Sequence, residues 1–490
     1  MVTDGLCSVQ FCLHKSQYSH CSTAVLSLRV AAPSGVRELR IHDTLSGRAR
    51  RLTPREPGKV RAYACGPTVY GPIHIGNARP FVVFALLKRF LEREGQAVTL
   101  VENVTDVNDK IYAAAREQGV ASEALARAMT ERYVSDTDRL GLGRPDHEPK
   151  ASEAIEAVVS LIGALIESGH AYVAGGDVYF RVRSFPAYGK LSNRTLDDMV
   201  QSEGDEARAD LKESPQDFAL WKARKPEEDT SWPAPWGEGR PGWHIECSAM
   251  AESIIGLEFD IHGGGLDLVF PHHENEIAQT EAARGRPLAG IWMHNGMVEL
   301  DEEKMSKSEG NIHLLGEALD RFGRDAVVMY FLGGHYRRPL AFSPDGLEDA
   351  RRSVERIRDF ARRADAEAGD PPGFRAFAER FYDSLADDFN TPAARAALFD
   401  WVAEGNRLLD AGEPVGQAGL SELLWTVGLE GLLEREAEAP DDEAQRLLAE
   451  REAARAQRDF ATADARREAL AARGWEVRDT PDGPRLLRRG

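Results

Sequence analysis

Residues 59–77, KVRAYACGPTVYGPIHIGN, decide how the chain is read. Lys59 to Cys65 alternates in the period of a strand and runs into a loop. Gly66 to Gly76 holds Pro67, Pro72 and three glycines, which is turn chemistry. Ala78–Arg93 then carries Phe81, Phe84, Leu87, Phe90 and Leu91 at helical spacing, and Ala97–Asn103 reads as the next strand. Strand, loop, helix and strand make a βαβ unit, which predicts a parallel sheet with its ligand at the strand C-termini. His74-Ile75-Gly76-Asn77 falls at that end. Gly76 allows close backbone approach to a ligand. The helix N-terminus offers N–H groups and a positive dipole end, both suited to phosphate, and His74 could donate to a phosphate oxygen. Alone, the tetrapeptide fits an ordinary βα turn equally well.

Working outward, the chain has 490 residues, room for roughly two to four domains. Apolar residues at 42% and charged residues at 29% are ordinary for a globular protein. No window reaches about 18 uninterrupted apolar residues, which excludes a transmembrane helix. Five cysteines in this length exclude a disulfide scaffold and point to a reducing, cytoplasmic compartment. The net charge of −19 alone argues against a nucleic-acid partner. Its distribution argues otherwise. Residues 1–65 carry a net +6 and residues 446–490 a net +3, which leaves −28 on the body between them. The first 35 or so residues hold Cys7, Cys12, Cys21, His14 and His20 without a sustained period. They lack the apolar core of a signal peptide, and their spacings match no familiar zinc finger. Residues 1–38 are therefore expected to be a disordered leader.

Residues 122–140 and 151–168 are predicted helices, and 171–182 a hairpin. Residues 200–242, acidic and then rich in Pro and Trp (Trp232, Trp236), read as an excursion from the sheet. His244–Ser253 and Pro271–Arg284 read as helices, and from Arg351 onward nearly everything has helical periodicity. Pro- and acid-rich breaks near 369–373 and 436–442 are candidate joints.

Lys304-Met305-Ser306-Lys307-Ser308, followed by Glu309-Gly310-Asn311, sets two lysines three apart among small residues. Such a segment can meet the charge that builds on a phosphate during displacement; the bland alternative is a solvated charge run. Paired with the glycine-containing βα turn, it resembles the two signatures of class I aminoacyl-tRNA synthetases, with Asn77 where the first signature often ends in a second His. That resemblance implies activation of an amino acid by ATP and transfer to tRNA. Cys65, Cys247, His272 and Glu276 then gain meaning. A spacing of four puts His272 and Glu276 on one helical face, and two thiolates, an imidazole and a carboxylate make a zinc-type ligand set. The alternative is two buried structural cysteines with a surface His/Glu pair.

Together, Tyr63 to Tyr70, Asn103 to Asp106, Trp243 to Met250, Phe259 to Gly265, Phe270 to Gln279 and Lys304 to Asn311 resemble the cysteinyl-tRNA synthetase family, from about Leu39 to the C-terminus. Ala85 and Asn108 depart from it, where the family more often carries acidic residues. The resemblance implies one Zn²⁺ per subunit on Cys65, Cys247, His272 and Glu276, binding the thiolate of the substrate L-cysteine, and Mg²⁺ accompanying ATP. It implies catalytic roles for His74, Asn77, Lys304 and Lys307. Gly76, His262, Gly263, Gly264, Gly265, Asp267 and Lys307 would lie near ATP, and Thr105 and Trp243 near the amino acid.

The implied fold class is α/β. A Rossmann-like parallel-sheet catalytic domain spans 39–334, with an insertion at about 150–240 and an ATP-loop and stem-contact region at about 295–334. A helical bundle (335–435) and a small C-terminal anticodon-binding domain (436–490) follow. In the last of these, Arg455, Arg458, Arg466 and Arg467 would meet tRNA(Cys) phosphates, and Phe460 and Trp475 would stack on unpaired bases. Arg455 and Asp464 are the implied base readers; the bland alternative is a solvated helix face. A monomer is expected, with no membrane partner. The nearest rival is the related cysteine ligase of mycothiol synthesis, which joins cysteine to an amino-sugar and lacks the C-terminal extension. A catalytically silent paralogue should lack a lysine or a ligand, and none is missing here.

Overall fold

The computed structural model describes residues 37–196, 210–300, 314–365, 367–433, 441–456, 459–473, 475–480 and 483–488. Residues 1–36 of the expected leader (1–38) and the lysine segment, within 301–313, thus lie outside the described residues.

The chain opens with an antiparallel pair, β1 (Arg40–Asp43) and β2 (Arg48–Arg51). The decisive stretch folds as read: β3 (Lys59–Ala64), α1 (Ile75–Arg93) and β4 (Ala97–Glu102), with β3 and β4 parallel and in register from Lys59↔Ala97 to Ala64↔Glu102. α1 begins three residues earlier than its apolar spacing predicts. His74 is the reason: its Nδ1 accepts the Gly76 N–H at 3.1 Å, and Asn77 Oδ1 accepts the His74 N–H at 3.3 Å. This reciprocal cap satisfies donors that the first turn would otherwise leave orphaned.

α2 (Asp109–Gln118), α3 (Ser122–Asp138) and α4 (Ile155–Glu167) follow. The excursion from the sheet is itself a sheet. The predicted hairpin, β5 (Ala171–Ala174) and β6 (Asp177–Phe180), is extended by β7 (Phe218–Ala223) and β8 (Gly239–Pro241) into four antiparallel strands. Their apolar side chains pack with α4 and with α5 (Trp243–Ile255) around Leu161, Leu165, Phe180, Phe218, Trp221 and Ile245. The chain then returns to the main sheet through β9 (Phe259–Gly265), α6 (Glu274–Arg284) and β10 (Ala289–Asn295), completing the parallel order β10-β9-β3-β4. α6 starts later than its predicted Pro271 because a wider helical turn, Val269–His273, precedes it; within that turn Phe270 is extended (φ −140°, ψ 131°), as residues before proline are.

A short strand, β11 (Val298–Leu300), pairs in parallel with β12 (Leu340–Phe342) across α7 (Leu315–Phe322) and α8 (Arg324–Leu332). The helical region continues as α9 (Pro344–Arg363), α10 (Phe374–Ala386), α11 (Thr391–Asp410) and α12 (Ala418–Thr426). It is not a separate body. One apolar core runs from Leu39 through α1 to Leu432, and Arg89 on α1 bonds the Trp425 carbonyl and Glu430. The C-terminal part has a core of its own. α13 (Asp442–Ala456), α14 (Phe460–Ala472) and the hairpin of β13 (Trp475–Thr480) and β14 (Gly483–Arg488) bury Ala444, Leu447, Leu470 and Trp475.

Gly263, Gly264 and Gly265 are the last residues of β9 and pair with Met293, His294 and Asn295. A Cβ on Gly263 would lie 2.3 Å from Phe84 Cζ on α1 and 2.4 Å from the Met293 carbonyl. The second atom is sheet backbone, so no rotamer change relieves the clash. Gly263→Ala should therefore destabilise the protein by about 1–3 kcal/mol. Gly290→Ala, whose Cβ meets nothing closer than 3.3 Å, should be much milder. Thermal unfolding of the two variants side by side checks this, and equal midpoints would contradict it.

Candidate functional site

The C-terminal ends of β3 and β9 open onto a buried polar cluster. Cys65 directly follows β3. Its thiol lies 3.5 Å from Glu276 Oε1 and 3.3 Å from His273 Nε2. Glu276, on the first turn of α6, has no solvent exposure. Its Oε1 is 3.1 Å from His272 Nε2, the i,i+4 pair read from the sequence, and its Oε2 is 2.8 Å from His262 Nε2. Cys247, on α5, lies beside Cys65 and turns its thiol to Asn103 Oδ1 at 3.7 Å. Asn103 also accepts the Gly66 N–H (3.0 Å) and donates to Thr105 Oγ1 (3.3 Å), tying the end of β4 to the loop after β3.

A second layer holds the first. His244 and His272 share an Nδ1···Nδ1 hydrogen bond of 3.0 Å. His273 Nδ1 meets His294 Nε2 at 2.8 Å, and His294 Nδ1 meets Thr44 Oγ1 at 2.7 Å. The rest of the Pro271-His-His-Glu-Asn-Glu stretch explains its own polarity. The Glu274 carboxylate accepts the N–H groups of Gly189, Leu191 and Ser192, and Asn275 meets the Tyr188 hydroxyl, so both clamp the same loop of the insertion. Gln279 bonds Ser248, next to Cys247.

Burial dominates the electrostatics. It pushes His244, His272 and His294 down to about 3, and His273 well down, so these rings are neutral and keep a lone pair at neutral pH. Burial, with Cys247 and Glu276 close by, pushes the Cys65 thiol well up. The neighbouring Cys65 thiol pulls Cys247 down, but burial and the carboxylates of Glu276 and Glu246 leave it raised overall. The donor atoms of Cys65, His272, His273 and Glu276 all lie within 4.8 Å of one another, close enough for one ion. A metal therefore fits here. This tight group contains His273 and not the expected Cys247, whose thiol is drawn toward Asn103.

The other expected residues are placed as follows. The Trp243 ring centroid lies 4.4 Å from that of His272, and Thr105 is buried against Asn103, so both border the thiol cluster. His74 caps α1 at the same edge of the sheet; because its Nδ1 accepts from Gly76, the neutral ring carries its proton on Nε2. Asn77, expected to be catalytic, uses its Oδ1 to hold the His74 backbone. Asp267 follows β9, its carboxylate filling the space that a Cβ on Gly265 would occupy. His262, expected near ATP, has no exposed surface; it bonds Glu276 and stacks on Trp292 with centroids 4.5 Å apart, so its ring supports the carboxylate. Lys304 and Lys307 lie outside the described residues.

In the C-terminal part, Arg455 and Asp464 are exposed on α13 and α14, with Asp464 paired to Arg467 at 3.2 Å. Phe460 is 65% exposed, whereas Trp475 is buried in the local core and cannot stack on a base. His273, His294, His244 and Asn103 escaped the sequence reading. The one available signal was that each is a polar residue within or beside a stretch quoted for the resemblance, or at the C-terminal end of a parallel strand.

Residues 51–352 match the family of tRNA synthetases class I (C) catalytic domains, 380–429 the DALR domain, and 438–484 the cysteinyl-tRNA ligase anticodon binding domain. The chain is 46% identical to the cysteine–tRNA ligase of Halorhodospira halophila over 92% of its own length and 99% of that protein. It is 47% identical to the cysteine–tRNA ligase of Alkalilimnicola ehrlichii over 91% and 98%. Among solved structures, Mycobacterium tuberculosis methionyl-tRNA synthetase bound by methionyl-adenylate shares the fold (TM-score 0.57, 15% identity, 83% of this chain and 96% of that one). No helix among the described residues is long and apolar enough to cross a membrane. The match to an anticodon binding domain leaves the amino-sugar ligase without support. With a class I parallel sheet, a thiol-rich cluster at its edge and relatives this similar over nearly the whole length, the chain belongs to the cysteine–tRNA ligase family of class I aminoacyl-tRNA synthetases.

Proposed function

We propose that this site activates L-cysteine with ATP and passes it to the 3′ end of tRNA(Cys). The observation that carries this reading is the placement of two thiols, a neutral imidazole and a buried carboxylate at the same sheet edge as the capped N-terminus of α1.

In the first step the cysteine carboxylate attacks the ATP α-phosphate and pyrophosphate leaves. His74 and the positive dipole end of α1 suit the phosphate oxygens. Lys304 and Lys307 would add charge, and Mg²⁺ would accompany ATP. Gly264, Gly265 and Asp267 border the adenosine side, and Thr105 and Trp243 the amino-acid side. A zinc ion on Cys65, Cys247, His272 and Glu276, with His262 and His244 orienting the ligands, would supply a soft partner for the substrate sulfur. That preference matters because serine differs from cysteine by one atom, which an apolar pocket discriminates poorly. In the second step a terminal ribose hydroxyl attacks the adenylate carbonyl and AMP leaves, a reaction helped chiefly by positioning.

Cysteine-dependent ATP–pyrophosphate exchange tests the reading, and purified zinc-loaded protein without exchange sinks it. Cys247→Ser should lower bound zinc and raise the KM for cysteine at least about tenfold more than the KM for ATP, roughly the weight of one lost ligand interaction. Equal changes in both KM values would contradict the assignment.

Metal uptake should depend on pH with a definite sign. The two raised thiols stay protonated through neutral pH and must release protons on binding, whereas His272 is already neutral. Zinc affinity from chelator competition should therefore rise with a slope approaching about two log units per pH unit between about pH 6 and 8. A flat profile would show that the thiols are already ionised.

On the RNA side, Phe460→Ala should raise the KM for tRNA by about fivefold, the lower end of one lost base stack, and leave pyrophosphate exchange unchanged. Aminoacylation kinetics decide this.

A further inference from the structure

Arg79 lies one turn into α1, immediately after the His74–Asn77 cap, and is 1% exposed. A buried guanidinium ordinarily sits on a carboxylate. Among the described residues Arg79 has none. Its Nη1 donates to the Gly296 carbonyl (2.6 Å) and the Met297 carbonyl (3.2 Å), and its Nη2 donates to the His335 carbonyl (2.9 Å). Burial lowers its pKa to about 10, so it still carries its charge at neutral pH.

The three carbonyls mark a junction. Gly296 and Met297 are the turn between β10 and β11, and β11 leads directly into the segment that holds Lys304 and Lys307. His335 begins the crossing from α8 to β12 and the helical region. The two turns also bond each other, Gly296 N–H to the Tyr336 carbonyl at 2.7 Å and Leu340 N–H to the Met297 carbonyl at 2.9 Å. Their contact leaves no room for a side chain, since a Cβ on Gly296 would lie 2.4 Å from the Arg338 backbone. From the far side Asp388 fixes the same crossing. Its carboxylate accepts the Tyr336 hydroxyl (2.7 Å), Arg337 Nε (2.7 Å) and the His42 N–H of β1 (2.8 Å). The other end of the lysine segment is held to the start of α1 as well, by Leu315 N–H to the Ile73 carbonyl at 3.0 Å and a bridge between Leu314 and His74. Val298 packs against Gly76.

We infer that Arg79 is a positioning residue for the activation step: it sets where β11 starts relative to the His74 end of α1, using the Asp388-braced 335–337 crossing as its fixed point. It touches no reacting atom. Its effect is on the register of the β10–β11 turn against the His74 end of α1, and it rests on the cysteine-activation reading above. A misplacement of about 1 Å in such machinery costs up to about 100-fold in rate.

The test compares Arg79→Met and Arg79→Lys with wild-type holoenzyme in cysteine-dependent pyrophosphate exchange, with bound zinc, the thermal midpoint and the active fraction by adenylate burst measured on each. An inactive wild type refutes the activation reading and leaves Arg79 without a reaction to serve. With active wild type, Arg79→Met should lose about 10–100-fold in kcat per active site, with zinc content and the KM for cysteine within about twofold. Lysine keeps the charge but cannot span both turns, so Arg79→Lys should recover part of the loss. A kcat per active site equal to wild type overturns the inference, as does a rate loss matched by lost zinc or lost active fraction. Should Arg79→Met fail to fold, Arg79→Lys decides on the same ratio: a kcat fall of at least about fivefold at unchanged zinc and cysteine KM supports the role, and an unchanged kcat removes it.

Discussion

Glu276 is a carboxylate with no access to water, and much of the catalytic half of the molecule is arranged around making that tolerable. A buried charge of this kind costs several kcal/mol unless its oxygens are met by donors. The two oxygens are met by different imidazoles, His272 on Oε1 and His262 on Oε2. Those rings are buried in turn and need partners of their own. His244 serves His272, while stacking on Trp292 confines His262. The neighbouring His273 leans on His294, which leans on Thr44. One acidic residue thus recruits polar side chains from β9, β10, α5 and the β1–β2 turn into a region that would otherwise be apolar core. The same burial sets the chemistry. It keeps His272 neutral and the Cys65 thiol protonated, so the cluster is poised to exchange protons for a metal ion.

Close approach of α1 to the sheet sets the capped N-terminus of that helix at the sheet edge where the strands end. Phe84 packs directly on Gly263, where any side chain would collide with it and with β10. The helix carries His74 at its cap and Arg79 one turn later, so a single rigid element holds the His74 ring and anchors the turn into β11. A glycine in a strand usually weakens it; here it is the condition for helix and sheet to meet at this distance.

The βαβ unit was legible because its signals are local: alternation in Lys59–Cys65, helical spacing in Ala78–Arg93 and proline-glycine turn chemistry between them. His272 with Glu276 was legible for the same reason, since a spacing of four on a helix is a statement about geometry. What escaped depends on contacts between residues far apart in the chain. Nothing near Asn103 says that it will hold Gly66 and Cys247, and nothing near His294 says that it will meet His273. The start of α1 was missed because apolar spacing reports the buried face, while the first turn is decided by the His74 cap. Trp475 misled for the opposite reason. An aromatic residue in a basic segment suggests base stacking, but Ala444, Leu447 and Leu470 from two helices needed it to close a very small core.

The departures from the family pattern have separate physical readings. Asn108 stands where an acidic residue is more usual, yet it caps α2 by accepting the Lys110 N–H at 3.0 Å. Asn and Asp are near-equal caps, so the helix start is preserved without the negative charge. Ala85 is different, because a methyl group replaces a charged side chain on the buried face of α1. It borders a cavity of about 220 Å³ whose lining includes Phe81, Leu100 and Trp425 alongside Arg89 and Arg144. Those cations do not need an acid at position 85. Arg89 is held by the Trp425 carbonyl and Glu430, and Arg144 by Glu148 and the Thr137 hydroxyl. The cations at the joint between sheet and helical region are therefore balanced by residues on other elements, so their pairing calls for no acid at position 85.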